Sequence, residues 1–180
     1  MKILAVDQAR RGAWSIFDYE KKELIKYGTF EFDSRHYTFA QANLNIERVI
    51  ESVIKENDVS AVFIEDIQMR QNVQSFKRLA QLQGVLVNLF EKNEYLYSYV
   101  APTQWQNYCK ARGRTTKEAK KKIQELEATG KKASKILSIE FVKQQFNIDT
   151  DNDNLADACC IGYYVVNNII IERKENENED

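Results

Sequence analysis

The sequence predicts an α/β fold: a mixed sheet in which an antiparallel three-strand meander is followed by parallel strands, flanked by helices. Three features carry that expectation. Short apolar runs at 2–7, 12–19 and 24–32 are separated by brief turn-like breaks, as consecutive antiparallel strands require. After them strand-like and helix-like periods alternate, the pattern of crossover connections to parallel strands. No internal repeat, linker or composition break divides the chain, so a single domain over 1–172 is expected, with an acidic frayed tail at 173–180.

The elements follow in order. Apolar residues at 42, 46, 49, 50, 53 and 54 keep a helical period from about Phe39 to Asn57, where Asn57-Asp58 breaks it. Val59 to Ile64 is a buried strand. Positions 76, 79, 82, 86, 89 and 90 place one apolar face on a helix over 73–92, and Tyr95 to Val100 forms a further strand closed by Pro102, the only proline. Then come a short helix near Thr103 to Cys109, a loop holding Gly113, a Lys-rich helix interrupted near Gly130, and a last helix from about Asp153 to Ile171.

Composition excludes more than it names. With 43% hydrophobic and 29% charged residues among 180, the chain is neither disordered nor fibrous. No apolar run approaches the roughly 20 residues of a membrane span, and the N-terminus does not resemble a signal peptide, so a cytoplasmic protein is expected. Cys109, Cys159 and Cys160 lack metal-ligand spacing and are expected to be reduced packing residues. His36 lies in a polar loop, where solvent exposure is expected rather than catalysis. Trp14 and Trp105 fit the core, with base stacking as the other reading.

The net charge of −1 hides an uneven distribution: positions 110–143 hold eleven Lys/Arg against four Glu. That segment is a candidate phosphate-binding surface, through Arg112, Arg114, Lys117, Lys120 and Lys121. A solvated helix face with i,i+4 pairs such as Glu118 with Lys122 is the other reading. Arg10 and Arg11, just past Asp7, are placed to meet a phosphate.

The acids are more telling. Asp7 ends the first strand after a mostly apolar run, and Glu65 does the same after Ala61-Val62-Phe63-Ile64, so two strands each deliver a carboxylate at their carboxyl ends. Asp66 points the other way, because strand side chains alternate. Asp153 and Asp157, four apart at the start of the last helix, share one face with Asn154 beside them. Helix capping explains Asp151 or Asp153, but not Asp157, a turn deeper between Ala156 and Ala158. Converging carboxylates without a basic partner repel one another unless a divalent cation neutralises them, and oxygen-only ligands point to Mg²⁺ or Mn²⁺ rather than zinc. Taken alone, these acids form either a metal site or separate surface charges.

Their order resolves the choice by resemblance. Ile3-Leu4-Ala5-Val6-Asp7, then Val62-Phe63-Ile64-Glu65, then Asn154-Leu155-Ala156-Asp157-Ala158 together resemble the RuvC group of Holliday junction resolvases, a branch of the RNase H-like superfamily, over nearly the whole chain. Asn72 to Gly84 is similar to the family's helix that pairs subunits in its homodimers, and Gly113-Arg114-Thr115-Thr116-Lys117 to its loop with a functional lysine. The resemblance implies an RNase H-like fold and a metal-dependent endonuclease that resolves four-way or branched DNA by paired cuts. It assigns Asp7, Glu65 and Asp157 as catalytic metal ligands, with Lys117 contacting phosphate. The family's fourth acid falls on Asn154 here; Asp153 is taken as that ligand, with Asn154 as the neutral alternative. Gln68-Met69 stands where the family has an aromatic wedge, a departure that suits a bacteriophage or low-GC bacterial variant. The implied chemistry is two-metal phosphodiester hydrolysis, with ions roughly 4 Å apart. The apolar face of the 73–92 helix serves either the homodimer or its own sheet. Two other functions fit less of the pattern: an RNase H-like nuclease acting on RNA, hybrids or flaps, and a non-catalytic nucleic-acid-binding module. An actin-like ATPase would need a glycine-rich phosphate loop, which six scattered glycines do not provide.

Overall fold

The computed structural model describes residues 1–69, 72–111 and 133–171. Arg112, Arg114, Lys117, Lys120, Lys121 and the acidic tail 173–180 lie outside the described residues.

The expected mixed sheet is present. β1 (Lys2–Asp7), β2 (Arg11–Asp18) and β3 (Glu23–Glu31) form the antiparallel meander. Helix α1 (Phe39–Asn57) carries the chain across to β4 (Ala61–Glu65), which lies parallel to β1. Helix α2 (Val73–Lys92) then returns it to β5 (Leu96–Val100), parallel to β4. The strand order is β3-β2-β1-β4-β5. Among the described residues the helices that follow are α3 (Pro102–Tyr108), α4 (Ala133–Phe146) and α5 (Asp153–Asn168).

Local chemistry sets the boundaries. Thr38 and Gln41 form a reciprocal capping box at the start of α1, and Asp58 ends that helix in the left-handed region, at φ 54°. The Val59 amide donates back to the Ile54 carbonyl, so β4 starts at Ala61 rather than at Val59. Asn152, not Asp151 or Asp153, is the N-cap of α5, accepting from the Leu155 amide at 3.1 Å. At its other end Ile169 turns extended, so α5 stops at Asn168, short of the expected Ile171.

Because strand side chains alternate, the sheet builds two cores. On one face Leu4, Val6, Ile16, Val62 and Ile64 pack against Ile46 and Ile50 of α1 and Leu82, Leu86, Leu89 and Phe90 of α2. The apolar stripe of α2 thus faces its own sheet from Leu82 to Phe90, while Phe76 and Leu79, nearer its start, do not join this core. On the other face Ile3, Ala5, Phe17, Ala61 and Phe63 lie beneath Leu155, Ala158, Cys159 and Ile161 of α5. Trp14, Trp105 and all three cysteines are buried, the cysteines unbridged, and His36 is exposed. No helix among the described residues is long and apolar enough to cross a membrane.

Candidate active site

Strand parity places the first two acids. Ile3, Ala5 and Asp7 point to the α5 face of β1, while Ala61, Phe63 and Glu65 do so on β4. The two strands are parallel neighbours, with Val6 opposite Ile64, so Asp7 and Glu65 emerge side by side where both strands end. Chain direction and register alone bring them together.

The third acid arrives on α5, which must lie close to the sheet to reach them. Gly162 permits this: a Cβ there would stand 2.5 Å from the Phe17 ring and 2.9 Å from the Ser15 hydroxyl. Ser15, fully buried, donates to the Ala158 carbonyl at 2.8 Å and pins the same turn of the helix. Asp157, one residue before that carbonyl, is held above the ends of β1 and β4.

The resulting charge cluster is strained electrostatically. Burial pushes the Asp7 carboxyl well above its ordinary value, the nearby charges of Glu65 and Asp157 push it further, and Lys135 opposes them. Burial likewise raises Asp157 to about 7; a hydrogen bond with Ser138 works against this, Glu65 adds to it, and Lys135 opposes it. One oxygen of Asp157, Oδ1, is buried with no hydrogen-bond partner among the described residues. Glu65 is fixed at two points. Trp105 donates its indole N–H to Glu65 Oε1 at 2.9 Å, and the buried Gln8 donates to the Glu65 carbonyl at 2.7 Å. A cleft of about 370 Å³ opens beside the acids, walled by Asp66, Phe76, Leu79 and Pro102.

An all-oxygen donor set, mutually repelling acids and an orphaned carboxylate oxygen suit a hard divalent cation. Among the described residues, no three acids stand at joint liganding distance. Instead an ammonium group lies among them: Lys135 of α4 pairs with Asp153 and acts on both Asp7 and Asp157. Asp153 therefore joins the cluster through Lys135.

Of the anticipated site residues, the structure brings Asp7, Glu65 and Asp157 together directly. Asn154 borders a groove with Arg10 and Arg11. Arg10 is already engaged: it donates to the Phe32 and Tyr37 carbonyls, both at 3.0 Å, and stacks on Phe39 with Arg78 stacked on the same ring. Arg11 is exposed and pairs with Glu31 at 2.6 Å. Lys135, Ser138 and Trp105 were not anticipated as site residues. In the sequence Lys135 is one of eleven basic residues over 110–143, and Trp105 fits the core or base stacking.

A mixed sheet in this order, with acids at the ends of β1 and β4 and a third on the helix above them, is the arrangement expected of the RNase H-like fold class. Sequence comparison specifies the branch. The profile of the family described as crossover junction endodeoxyribonuclease RuvC matches residues 10–161, and the chain belongs to that family. A relative from Sulfurovum sp. (strain NBC37-1), named crossover junction endodeoxyribonuclease RuvC, is 26% identical over 160 residues, covering 81% of this chain and 99% of its own length. Among solved structures, Thermus thermophilus RuvC in complex with Holliday junction substrate superposes with a TM-score of 0.67 at 11% identity over 91% of each chain. The fowlpox virus Holliday junction resolvase gives 0.56 at 14% identity over 93% of this chain and 99% of its own. At such identities the structural likeness speaks for the fold. Asp7 precedes the matched residues, so its place in the site rests on strand register.

Proposed function

We propose that this enzyme cuts branched DNA at four-way junctions by metal-dependent phosphodiester hydrolysis, with Asp7, Glu65 and Asp157 as the ligands of Mg²⁺ or Mn²⁺ and Asp153 as the fourth acid. The observation that carries this reading is the convergence of three carboxylates, each on a different element, at one end of the sheet. Metal ions bound there supply the polarisation of the scissile phosphate and the activation of water. The chain's own residues do the rest. Glu65 is held in place from both its backbone and its carboxylate, and Asp7 is buried so that its charge is little screened. Lys135, which stands among the acids, is positioned to balance negative charge on a bound phosphate.

Phosphate contacts away from the scissile bond fall to the basic segment, through Arg112, Arg114, Lys117, Lys120 and Lys121, and to Arg11 at the rim. Arg10, committed to loop carbonyls and to Phe39, acts there by shaping the rim.

Symmetric cutting of a four-way junction calls for two sites, hence a homodimer. The α2 stripe is already used by the sheet, so the interface is assigned to the groove between α1 and α2, lined by Phe39, Ala40, Leu44, Gly84 and Val85. Gly84 supports this. It sits mid-helix with nothing among the described residues within 4 Å of where a Cβ would be, and a glycine there weakens the helix without easing any contact those residues make. A closely packed second copy gives it a purpose.

The test is cleavage of a labelled synthetic four-way junction beside linear duplex, single strand and RNA/DNA hybrid, with Mg²⁺, Mn²⁺ or chelator. Metal-dependent paired nicks confined to the junction are expected. Cutting of the hybrid or of linear duplex instead would overturn the substrate, and binding without cutting in any metal would overturn the enzyme.

A further inference from the structure

We infer that Trp105 is a positioning residue for the metal site: its indole N–H orients the Glu65 carboxylate for a divalent cation. The inference rests on the reading of Glu65 as a ligand.

Trp105 is 1% exposed and packs in the core beneath α5. A buried indole N–H needs an acceptor, and this one finds Glu65 Oε1 at 2.9 Å, 40 residues away in sequence. An apolar ring such as phenylalanine would pack there without needing a partner, so hydrophobic packing does not explain the indole N–H. What it adds is one donor aimed at one carboxylate oxygen.

The donor's neutrality matters. A lysine or arginine at this position would cancel the charge of Glu65 and compete with a metal ion. An indole N–H restricts the carboxylate's rotation and leaves its charge intact, which is how partners behind a metal ligand act.

The scaffold carrying the indole is itself tied down. Pro102 opens α3, and the Ala101 amide donates to the Gln104 side chain at 2.9 Å. At the other end Cys109 donates its thiol to the Cys160 carbonyl at 3.6 Å, linking α3 to α5, the helix that carries Asp157. Trp105 therefore sets Glu65 relative to the same element that delivers the third acid.

The experiment is a calorimetric titration of the full chain with Mn²⁺ for wild type, Trp105→Phe and Glu65→Gln. It is paired with ¹⁵N spectra of the two indole N–H groups, with Trp14→Phe assigning the resonances. Trp105→Phe is expected to bind Mn²⁺ about 10- to 100-fold more weakly, with DNA affinity in chelator unchanged. In wild type, substoichiometric Mn²⁺ should broaden the Trp105 indole signal before that of Trp14, which packs on the opposite face of the sheet. Unchanged Mn²⁺ affinity in Trp105→Phe, alongside weakened binding in Glu65→Gln, would overturn the role of Trp105 alone. Mn²⁺ binding indifferent to Glu65→Gln would remove the ligand reading and this inference with it. Should Trp105→Phe fail to fold, the wild-type spectrum decides, and an unbroadened Trp105 signal would overturn the proposal.

Discussion

Burial raises the carboxyls of both Asp7 and Asp157, and neighbouring acids raise them further, Glu65 and Asp157 acting on Asp7 and Glu65 on Asp157, a situation that folding alone does not reward. Replacing Asp7 with Asn removes one charge from that cluster. The metal-free variant is expected to melt at a higher temperature than wild type, while junction cleavage falls on the order of 10⁴-fold and junction binding in chelator persists. Equal loss of binding and cutting would contradict a ligand role. The Asp157 value gives a pH prediction with a definite sign. Its carboxyl keeps a proton up to about pH 7 in the folded protein but releases it near 3.8 when unfolded. Between those values the folded state binds more protons, so this group's favourable contribution in metal-free protein is full below about 4, falls as pH rises, and is gone past about 7. Metal binding needs the ionised form, so the gain in melting temperature from saturating Mg²⁺ should be larger at about pH 8 than at about pH 5.5. A gain independent of pH would show that Asp157 is not among the ligands. At this scale the sequence was only partly legible. Asp7 and Glu65 could be read because strand alternation fixes where they point. The Trp105 hydrogen bond could not, since it depends on how α3 lies against β4, a relation that no local period encodes.

Among the elements, α5 controls whether the site assembles. Its first turn is visible in the sequence as Asp151 to Asp157, but its distance from the sheet is set by Gly162 meeting Phe17 and by Ser15 meeting the Ala158 carbonyl. Neither pairing shows in a linear pattern. Gly162→Val should lift the helix, lowering stability by about 1–3 kcal/mol in urea unfolding and raising the Mg²⁺ concentration needed for half-maximal cleavage. An unchanged urea midpoint would mean that the ring of Phe17 yields and that the close approach is dispensable. The neighbouring α4 explains why Lys135 went unnoticed. Ile136 and Val142 are buried, and Leu137, Ile139 and Phe141 are partly so, which spreads apolar residues around much of the helix and leaves its period silent about which lysine faces inward. Lys135→Met is expected to lower cleavage by two to three orders of magnitude, on the order of the loss of one preorganised charge partner, with junction affinity in chelator little changed. Full activity in that variant would return the role to the basic segment and to Lys117.

For the whole molecule, the proposal to test is that two copies pair. The meander and the crossovers were legible because strand and helix periods differ, and so was the apolar stripe of α2, but not its destination: only the assembled sheet shows that Leu82, Leu86, Leu89 and Phe90 are consumed internally. What α2 presents outward is weakly apolar and interrupted by Gly84, with Val85 and the half-exposed Leu44 of α1 beside it. In a lone chain, Gly84→Ala would strengthen the helix by about 1 kcal/mol, and a larger side chain would meet no obstacle among the described residues. In a dimer that closes over this groove, bulk at the same position holds the copies apart. Gly84→Leu thus separates the two cases with one substitution. Sedimentation at micromolar concentration should show a wild-type dimer and a Gly84→Leu monomer that unfolds no earlier than wild type and nicks one strand of a junction without its symmetric partner. A wild-type monomer at that concentration, or a Gly84→Leu dimer, would place the second active site elsewhere than across the α1–α2 groove.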